Sequence, residues 1–434
     1  MAGTLIIGAS QAGVQLAAEL RDLGYDEPIT LVGEESHRPY QRPPLSKRWL
    51  KSELVPGDVI LRTREWFDSQ DIELVSSDRV SWIHRDAGAD DGVGTAGGVG
   101  TAITQGGRRF EFDRLALTTG SSVRRLTVPG TDFHAVHYLR DGDDAIRLEH
   151  ALHDPANRRL VVIGGGFIGL EIAAVARTMD KEVTVLEAGS RLVGRVVSEE
   201  TSAFYLGAHQ RRGTHVVLDA QITRIVGSPA DAAGRRSHVI GVELADGTLV
   251  PADLVVIGIG VVPRTELALQ LGLRVEGGIV VDEHARTSDG MTVAAGDCTV
   301  MPNPYPLGIQ GPTRIESVNN ALEQAKVAAA TLVGEPRSYR SVPWFWSDQA
   351  DLKLQIAGLS SGFDQVVVRG MPADERFTVL YYREGRLIAA DCINQPAEFL
   401  AIRGALGKGL TIPAAVAADT TIPLKQLVTE PIAV

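Results

Sequence analysis

The sequence predicts an α/β chain, with two Rossmann-like dinucleotide-binding domains followed by a C-terminal α+β domain, and an internal repeat carries that reading. Residues 5–34 run LIIGASQAGVQLAAEL, a polar turn, then ITLVGE, and residues 160–187 run LVVIGGGFIGLEIAAVA, another polar turn, then VTVLE. Each copy reads as a buried strand, a glycine turn, a helix and a second strand that ends in an acid. A third apolar run closes each copy, LALTTG at 115–120 and LVVIGIG at 254–260. Two such sites in one chain imply hydride transfer between two dinucleotides.

The glycines have separate mechanical tasks. The first makes the tight strand-to-helix bend, the second lets backbone approach a pyrophosphate, and the third packs helix on strand, so that the phosphates meet the free N–H groups of the helix N-terminus. Gly164, Gly166 and Gly169 fill all three places in the second copy; the first has Gly8 and Gly13 but Ser10 in the middle, which keeps the turn small and adds a hydroxyl. An acid about 20 residues on is expected to accept hydrogen bonds from a ribose. Glu34 lies 21 residues after Gly13, and Glu187 lies 18 after Gly169. A lone glycine turn reads equally well as a simple bend; repetition with both acids decides against that.

The order of segments places the second glycine unit inside the first domain. The expected boundaries are 1–121 and 269–330 for the first domain, 122–268 for the second and 331–434 for the third. The run GIVVDEHARTSDGMTVAAGDC belongs to neither repeat and is expected to return the chain to the first domain. Residues 86–107, rich in glycine, read as a mobile hairpin insertion. RIESVNNALEQAKVAAATLVG has helical apolar spacing and stops at Gly334. Beyond it, short β-branched and aromatic runs predict antiparallel strands that supply a lid or an interface.

Composition narrows the function. The 434 residues are 44% hydrophobic and 22% charged, with a net charge of −11, so no electrostatic footprint for nucleic acid or an anionic membrane is expected. The N-terminal apolar run lacks a basic leader and is occupied by the glycine turn, and no stretch is long enough to span a bilayer, which gives a cytoplasmic reading. The two cysteines, Cys298 and Cys392, form no CxxC or CxxxxC pair. Dithiol chemistry is therefore not expected, and Cys298 reads as a buried filler before it reads as a redox thiol. The pairs His134/His137 and His150/His153 have metal-like spacing but no cysteine cluster or HExxH pattern beside them, so no metal is assigned.

The segments PYQRPPLSK (39–47), LVVIGGGFIGLEIAA, GIGVVPRTEL, AAGDC, RIESVNNALEQA and PWFWSDQ together resemble the NADH-dependent ferredoxin reductases that serve oxygenases and cytochromes P450, in family order and over essentially the whole chain. The resemblance implies a glutathione-reductase-like fold with FAD in the first unit and NADH in the second. It places flavin contacts on Gly8, Ser10, Ala12, Gly13, Glu34, Lys47, Val80, Asp297 and Val318, with Arg124, Arg140 and Trp346 beside them. It places nicotinamide-dinucleotide contacts on Gly164, Gly166, Ile168, Gly169, Glu187, Arg195 and Gly260. Thr118 stands where the family more often has alanine, a change expected to touch packing more than chemistry.

Lys47 and Glu171 are the candidate catalytic pair. A cation beside the isoalloxazine favours the anionic reduced flavin, and Glu171 is placed to pair with Lys47 or to meet the nicotinamide carboxamide. Glu187 should favour NADH, because a carboxylate about 4 Å from a 2′-phosphate repels it by about 4 kcal/mol at an effective dielectric near 20. Arg191 and Arg195 lie close enough in sequence to soften that preference. Trp344 and Trp346 share a face if PWFWS is extended, either in the core or beside the flavin.

No cysteine set here can ligate an iron–sulfur cluster, so the implied one-electron acceptor is external: a [2Fe-2S] ferredoxin, or a rubredoxin, feeding a P450 or ring-hydroxylating dioxygenase. The protein is read as a monomer or weak homodimer. A flavin NADH oxidase or quinone reductase shares every cofactor feature, while a flavin-bound scaffold of the apoptosis-inducing-factor type needs a basic face. Lys326 and Lys425, with Arg42 and Arg48 in reserve, are the expected docking cations.

Overall fold

The computed structural model describes residues 2–85, 99–228, 238–304 and 311–431. The chain divides into two compact units, one of Met1–Gln41, Pro56–Ser122 and Pro263–Phe345, the other of Arg42–Val55, Val123–Val262 and Trp346–Val434.

The first unit is built on a five-stranded parallel sheet. Its order is Val293–Ala294, Arg114–Leu117, Thr4–Ile7, Ile29–Val32 and Ile72–Val75. A parallel sheet covered on both faces demands apolar residues at successive positions, which is why TLII at the centre is buried throughout rather than alternating. Helix Gln11–Asp22 packs against helix Val318–Leu332. The latter starts at Ser317, whose hydroxyl caps the Asn320 N–H at 3.0 Å.

The same order recurs in the second unit: Val136–His137, Leu254–Ile257, Arg159–Ile163, Glu182–Leu186 and His215–Val217, again all parallel. Each sheet also carries a three-stranded antiparallel meander before its third repeat strand, Val80–Arg85 with Gly100–Thr104 and Arg109–Phe112 in one, and Ile222–Gly227 with Val239–Leu244 and Leu249–Pro251 in the other.

Two expectations change. The run ending AAGDC is part of the repeat after all, because Val293–Ala294 is the edge strand of the first sheet and has its counterpart in Val136–His137. Residues 100–104 of the expected hairpin insertion form the central strand of the first meander, where Ala102 is buried; the glycine-rich stretch 86–98 lies outside the described residues.

The C-terminal part of the second unit is an antiparallel sheet in the order Trp344–Gln349, Leu352–Gly358, Arg386–Ile393, Arg376–Arg383, Gln365–Met371, with helix Pro396–Gly407 packed on it. Arg369 is buried and bonds Glu398 at 2.6 Å, the Ala417 carbonyl at 3.1 Å and the Ile422 carbonyl at 2.7 Å, which straps the tail down.

Asp391 joins this sheet to helix Glu199–Arg211. Its Oδ2 accepts from the Tyr381 hydroxyl and from Thr201 Oγ1 at 2.8 Å, while Oδ1 is buried without a partner. Burial pushes the carboxyl up to about 7, against the pull of its two hydrogen bonds. An acid raised above its unfolded value of about 3.9 holds its proton in the fold across that interval, so its contribution to stability is complete below the lower value and is lost as pH rises through the folded one. Three pKa units correspond to about 4 kcal/mol. Asp391→Asn keeps the shape and removes the titration, so the variant's melting temperature relative to wild type is expected to rise by several degrees between about pH 5 and pH 8. Thermal melts across that range test this, and parallel pH profiles for the two proteins would show that Asp391 does not titrate there.

Candidate active site

The two glycine turns have the same geometry. After strand Thr4–Ile7, Gly8 adopts φ +119, and a Cβ there would lie 2.1 Å from the Thr118 carbonyl oxygen; after Arg159–Ile163, Gly164 adopts φ +108, and a Cβ would lie 2.5 Å from the Gly258 oxygen. A Cβ on Gly13 would sit 2.1 Å from the Gly8 carbonyl oxygen, and one on Gly169 would sit 2.2 Å from that of Gly164. Each helix N-terminus is thereby pressed onto its strand end, with first-turn N–H groups available to a pyrophosphate. Ser10 and Gly166 occupy equivalent N-cap positions, and the Ser10 hydroxyl caps nothing. These cradles, closed to any side chain at their first and third glycines, fit two dinucleotides.

Of the predicted flavin contacts, the first unit holds Gly8, Ser10, Ala12, Gly13, Glu34, Val80, Asp297 and Val318, whereas Lys47, Arg124, Arg140 and Trp346 belong to the second. A Cβ on Gly296 would lie 3.3 Å from the Ala12 Cβ, which sets Asp297 close to the start of helix Gln11–Asp22; Asp297 Oδ2 accepts from Ser121 Oγ at 3.3 Å. Val318 opens the helix packed alongside, and Gln324 of that helix accepts the Gly296 N–H at 2.8 Å. Val80 is buried at the start of its strand, two residues after Asp78, whose N–H bonds the Gly33 carbonyl at 3.1 Å. Glu34 pairs with Arg264 and lies 3.7 Å from Arg79. Thr118 does more than fill space. Its hydroxyl donates to the Gly8 carbonyl at 2.8 Å and ties the turn to the third strand.

In the second unit both oxygens of Glu187 are held by backbone: Gly165 N–H donates to Oε2 at 2.6 Å and Gly189 N–H to Oε1 at 2.7 Å. Arg191 is spent on the Val197 and Gly194 carbonyls, each at 2.6 Å, so its guanidinium is committed to its own loop. Arg195 Nη2 lies 3.2 Å from where a Cβ on Gly260 would stand, and Ile168 is exposed on the first helical turn. Arg124 donates its N–H to the Gly260 carbonyl at 2.9 Å, whereas Arg140 accepts from Arg42 at 2.5 Å through its own carbonyl. Trp344 and Trp346 are both half-buried.

Lys47 and Glu171 meet in this unit. Lys47 ends the short 3-10 turn Pro43–Ser46, and its Nζ donates to Glu171 Oε2 at 2.7 Å and to the Pro43 carbonyl at 3.2 Å. The Glu171 side chain is fully buried, and burial pushes its pKa up while Lys47 first, then Ser347 and Ser46, pull it back. Sequence reasoning missed the two serines, although both stand inside motifs it singled out, PPLSK and PWFWSDQ. Ser46 Oγ donates to Oε2 at 2.5 Å and Ser347 Oγ to Oε1 at 2.6 Å. It also missed Arg79 and Arg264 beside Glu34.

Cys298 belongs to the first unit and Cys392 to the second; both are buried, and burial pushes both thiols up. Burial holds His137 at about 4. Among the described residues no group of three or more His, Cys, Asp or Glu is arranged to hold a metal, and no helix is long and apolar enough to cross a membrane.

Residues 3–325 match the pyridine nucleotide-disulphide oxidoreductase family, and residues 344–428 match the reductase C-terminal domain. The chain is 42% identical to the rhodocoxin reductase of Rhodococcus erythropolis, over 97% of this chain and 93% of that one. It is similar in structure to the ferredoxin reductase for the CYP199A2 system from Rhodopseudomonas palustris, with a TM-score of 0.89 at 38% identity over 99% of this chain and all of the other. The putidaredoxin reductase of a covalent complex with putidaredoxin gives the same TM-score, 0.89, at 37% identity, over 98% and 97% of the two chains.

Both thiols are free and buried. A thiol reagent such as Ellman's is expected to find no reactive cysteine in the native protein and both after denaturation. Cys298→Ser and Cys392→Ser are expected to leave NADH-dependent reduction of a one-electron acceptor within a few-fold of wild type. A loss beyond about a hundredfold, roughly 2.7 kcal/mol in the barrier, would place a thiol in the reaction.

Proposed function

Because the chain belongs to the pyridine nucleotide-disulphide oxidoreductase family, we infer that it is an NADH-dependent, FAD-containing ferredoxin reductase working for a cytochrome P450 or a ring-hydroxylating dioxygenase. Bound FAD supplies the conversion this requires, taking an electron pair as hydride and releasing electrons singly. The observation that carries the reading is the pair of like-shaped glycine cradles in a chain with no accessible thiol pair. Electrons that enter through one dinucleotide have no internal dithiol to reach, so they leave to an external carrier such as a [2Fe-2S] ferredoxin. The rhodocoxin and putidaredoxin reductases named above are similar over nearly their full lengths, which supports that acceptor class. Cytoplasm is the compartment that supplies NADH to such a reaction.

The residues divide the work as follows. The first domain, expected at residues 1–121 and 269–330, would hold FAD, offering the first-turn N–H groups after Gly8 to its pyrophosphate and Glu34, Val80, Asp297 and Val318 as further contacts; the segment Arg42–Val55 within those bounds, which carries Lys47, belongs to the second unit. Residues 122–268 hold NADH on the turn from Gly164 to Gly169, and residues 331–434 form the interface domain. Lys47 presents the cation that favours reduced flavin, and Glu171 holds that cation in place. Glu187 would accept from the adenosine ribose and repel a 2′-phosphate; Arg191 is tied to its own loop, which leaves Arg195 to offset that repulsion.

The purified protein is expected to be yellow, with one FAD per chain, and to bleach under anaerobic NADH far faster than under NADPH. Stopped-flow reduction by the two nucleotides measures the gap, and Glu187→Ala should narrow it. Equal rates in wild type would remove the assignment of Glu187.

Docking to an acidic ferredoxin is expected to depend on local cations. Lys326 is already paired with Glu323 at 2.9 Å and Arg48 with Glu53 at 3.2 Å, whereas Lys425 is exposed in the tail, which makes it the leading candidate. Ferredoxin-dependent cytochrome c reduction should weaken steeply with salt and with Lys425→Glu, since exposed charges are screened beyond about 8 Å at physiological ionic strength. Ferricyanide reduction should barely change. A rubredoxin, oxygen or a quinone turned over faster than the ferredoxin would reassign the acceptor.

A further inference from the structure

Glu171 is the end point of a buried chain of donors that all point the same way. His209 Nε2 lies 2.8 Å from Gln349 Oε1, Gln349 Nε2 donates to Ser347 Oγ at 3.2 Å, and Ser347 Oγ donates to Glu171 Oε1 at 2.6 Å. His209, Gln349, Ser347 and Glu171 are all buried. With the Gln349 amide nitrogen facing Ser347, valence sets the direction of the rest. A serine hydroxyl that accepts from the amide has its single hydrogen left for the carboxylate, and the amide oxygen takes the imidazole N–H, which sets the His209 tautomer. Because an amide link does not pass a proton onward, the chain orients groups rather than conducting protons. On the other oxygen, Ser46 donates at 2.5 Å beside Lys47 at 2.7 Å.

We propose that Ser347 and Ser46 are positioning residues which clamp the two oxygens of Glu171 and thereby hold the Lys47 ammonium in place, with Gln349 and His209 fixing Ser347 from behind. The proposal rests on the reading of Lys47 as the flavin-side cation. A buried carboxylate with a single ammonium on one oxygen leaves the second oxygen bare, a state that favours protonation and release of the lysine. The clamp closes that route. Besides Lys47, two titratable groups of helix Glu199–Arg211 face this network: Tyr205, which feels Asp391, Glu171 and Asp348 after its own burial, and His209 on Gln349, whose pKa burial pushes down. No other cation is therefore at hand among them to replace Lys47 on Glu171.

The test uses the FAD-loaded protein and two readouts. Infrared titration follows the protonated-carboxyl band of Glu171, assigned by its loss in Glu171→Gln; the flavin midpoint potential is measured across the same pH range. Ser347→Ala and Ser46→Ala should each move the disappearance of that band to higher pH by about one unit, a tenfold change in proton affinity. Each should also lower the midpoint potential part of the way towards that of Lys47→Met. Gln349→Met should do the same to a smaller extent, and Ser347→Cys, which keeps the volume with a weaker donor, serves if the alanine variant fails to fold. A Glu171 band that titrates in the serine variants as it does in wild type overturns the clamp. A band that shifts while the potential stays constant in every variant, Lys47→Met included, leaves the clamp standing and removes Lys47 from the flavin.

Discussion

Backbone crowding at the two glycine turns sets the position of almost everything else in the site. With room for no Cβ between Gly13 and the Gly8 oxygen, or between Gly169 and the Gly164 oxygen, each helix must start directly on its strand. The parallel register then decides what surrounds that start. Ile7 pairs with Val32 and Ile163 with Leu186, so the first and second strands of each copy leave the sheet at one level and deliver their acids to the same edge. The copies differ by one residue there. Glu187 follows Leu186 directly and is caught by the Gly165 N–H, whereas Gly33 intervenes before Glu34, which lies instead against Arg264 and Arg79.

Such crowding is legible in sequence because it excludes side chains, and exclusion leaves glycine at fixed intervals. The apolar runs starting at residues 5, 115, 160 and 254 were legible for the related reason that a strand buried on both faces cannot alternate. The outer strands were not. Val136–His137 and Val293–Ala294 have two residues each, too few for any period, and their place comes from pairing with a neighbour far along the chain. In the first meander, residues 100–104 read as part of a hairpin insertion, and the structure pairs them on both sides.

Within the candidate site, the glycine turns and the motif acids were legible in the sequence, and residues that meet only one another were not. Ser46 and Ser347 are 301 positions apart and touch through Glu171 alone. Thr118 looked like a packing variant because its partner is a carbonyl, and any residue offers one. Arg264 stands in a motif quoted for the second unit but pairs with the acid of the first turn. Spacing within a motif encodes local geometry; it carries no trace of a contact closed by the fold.

The second unit buries two carboxylates on different terms. Asp391 has two hydroxyl donors on one oxygen, none on the other and no cation among the described residues, so burial prevails and the acid tends to the neutral form near pH 7. Glu171 has donors on both oxygens and an ammonium at 2.7 Å. Desolvation pushes both carboxyls up, and the two places differ in what pulls back: two hydroxyls at Asp391, an ammonium and two hydroxyls at Glu171. Asp391 serves as a hydrogen-bonding joint between helix and sheet. At Glu171 burial pushes the pKa up while Lys47 and the two serines pull it back, so three side chains from two distant segments converge on one glutamate.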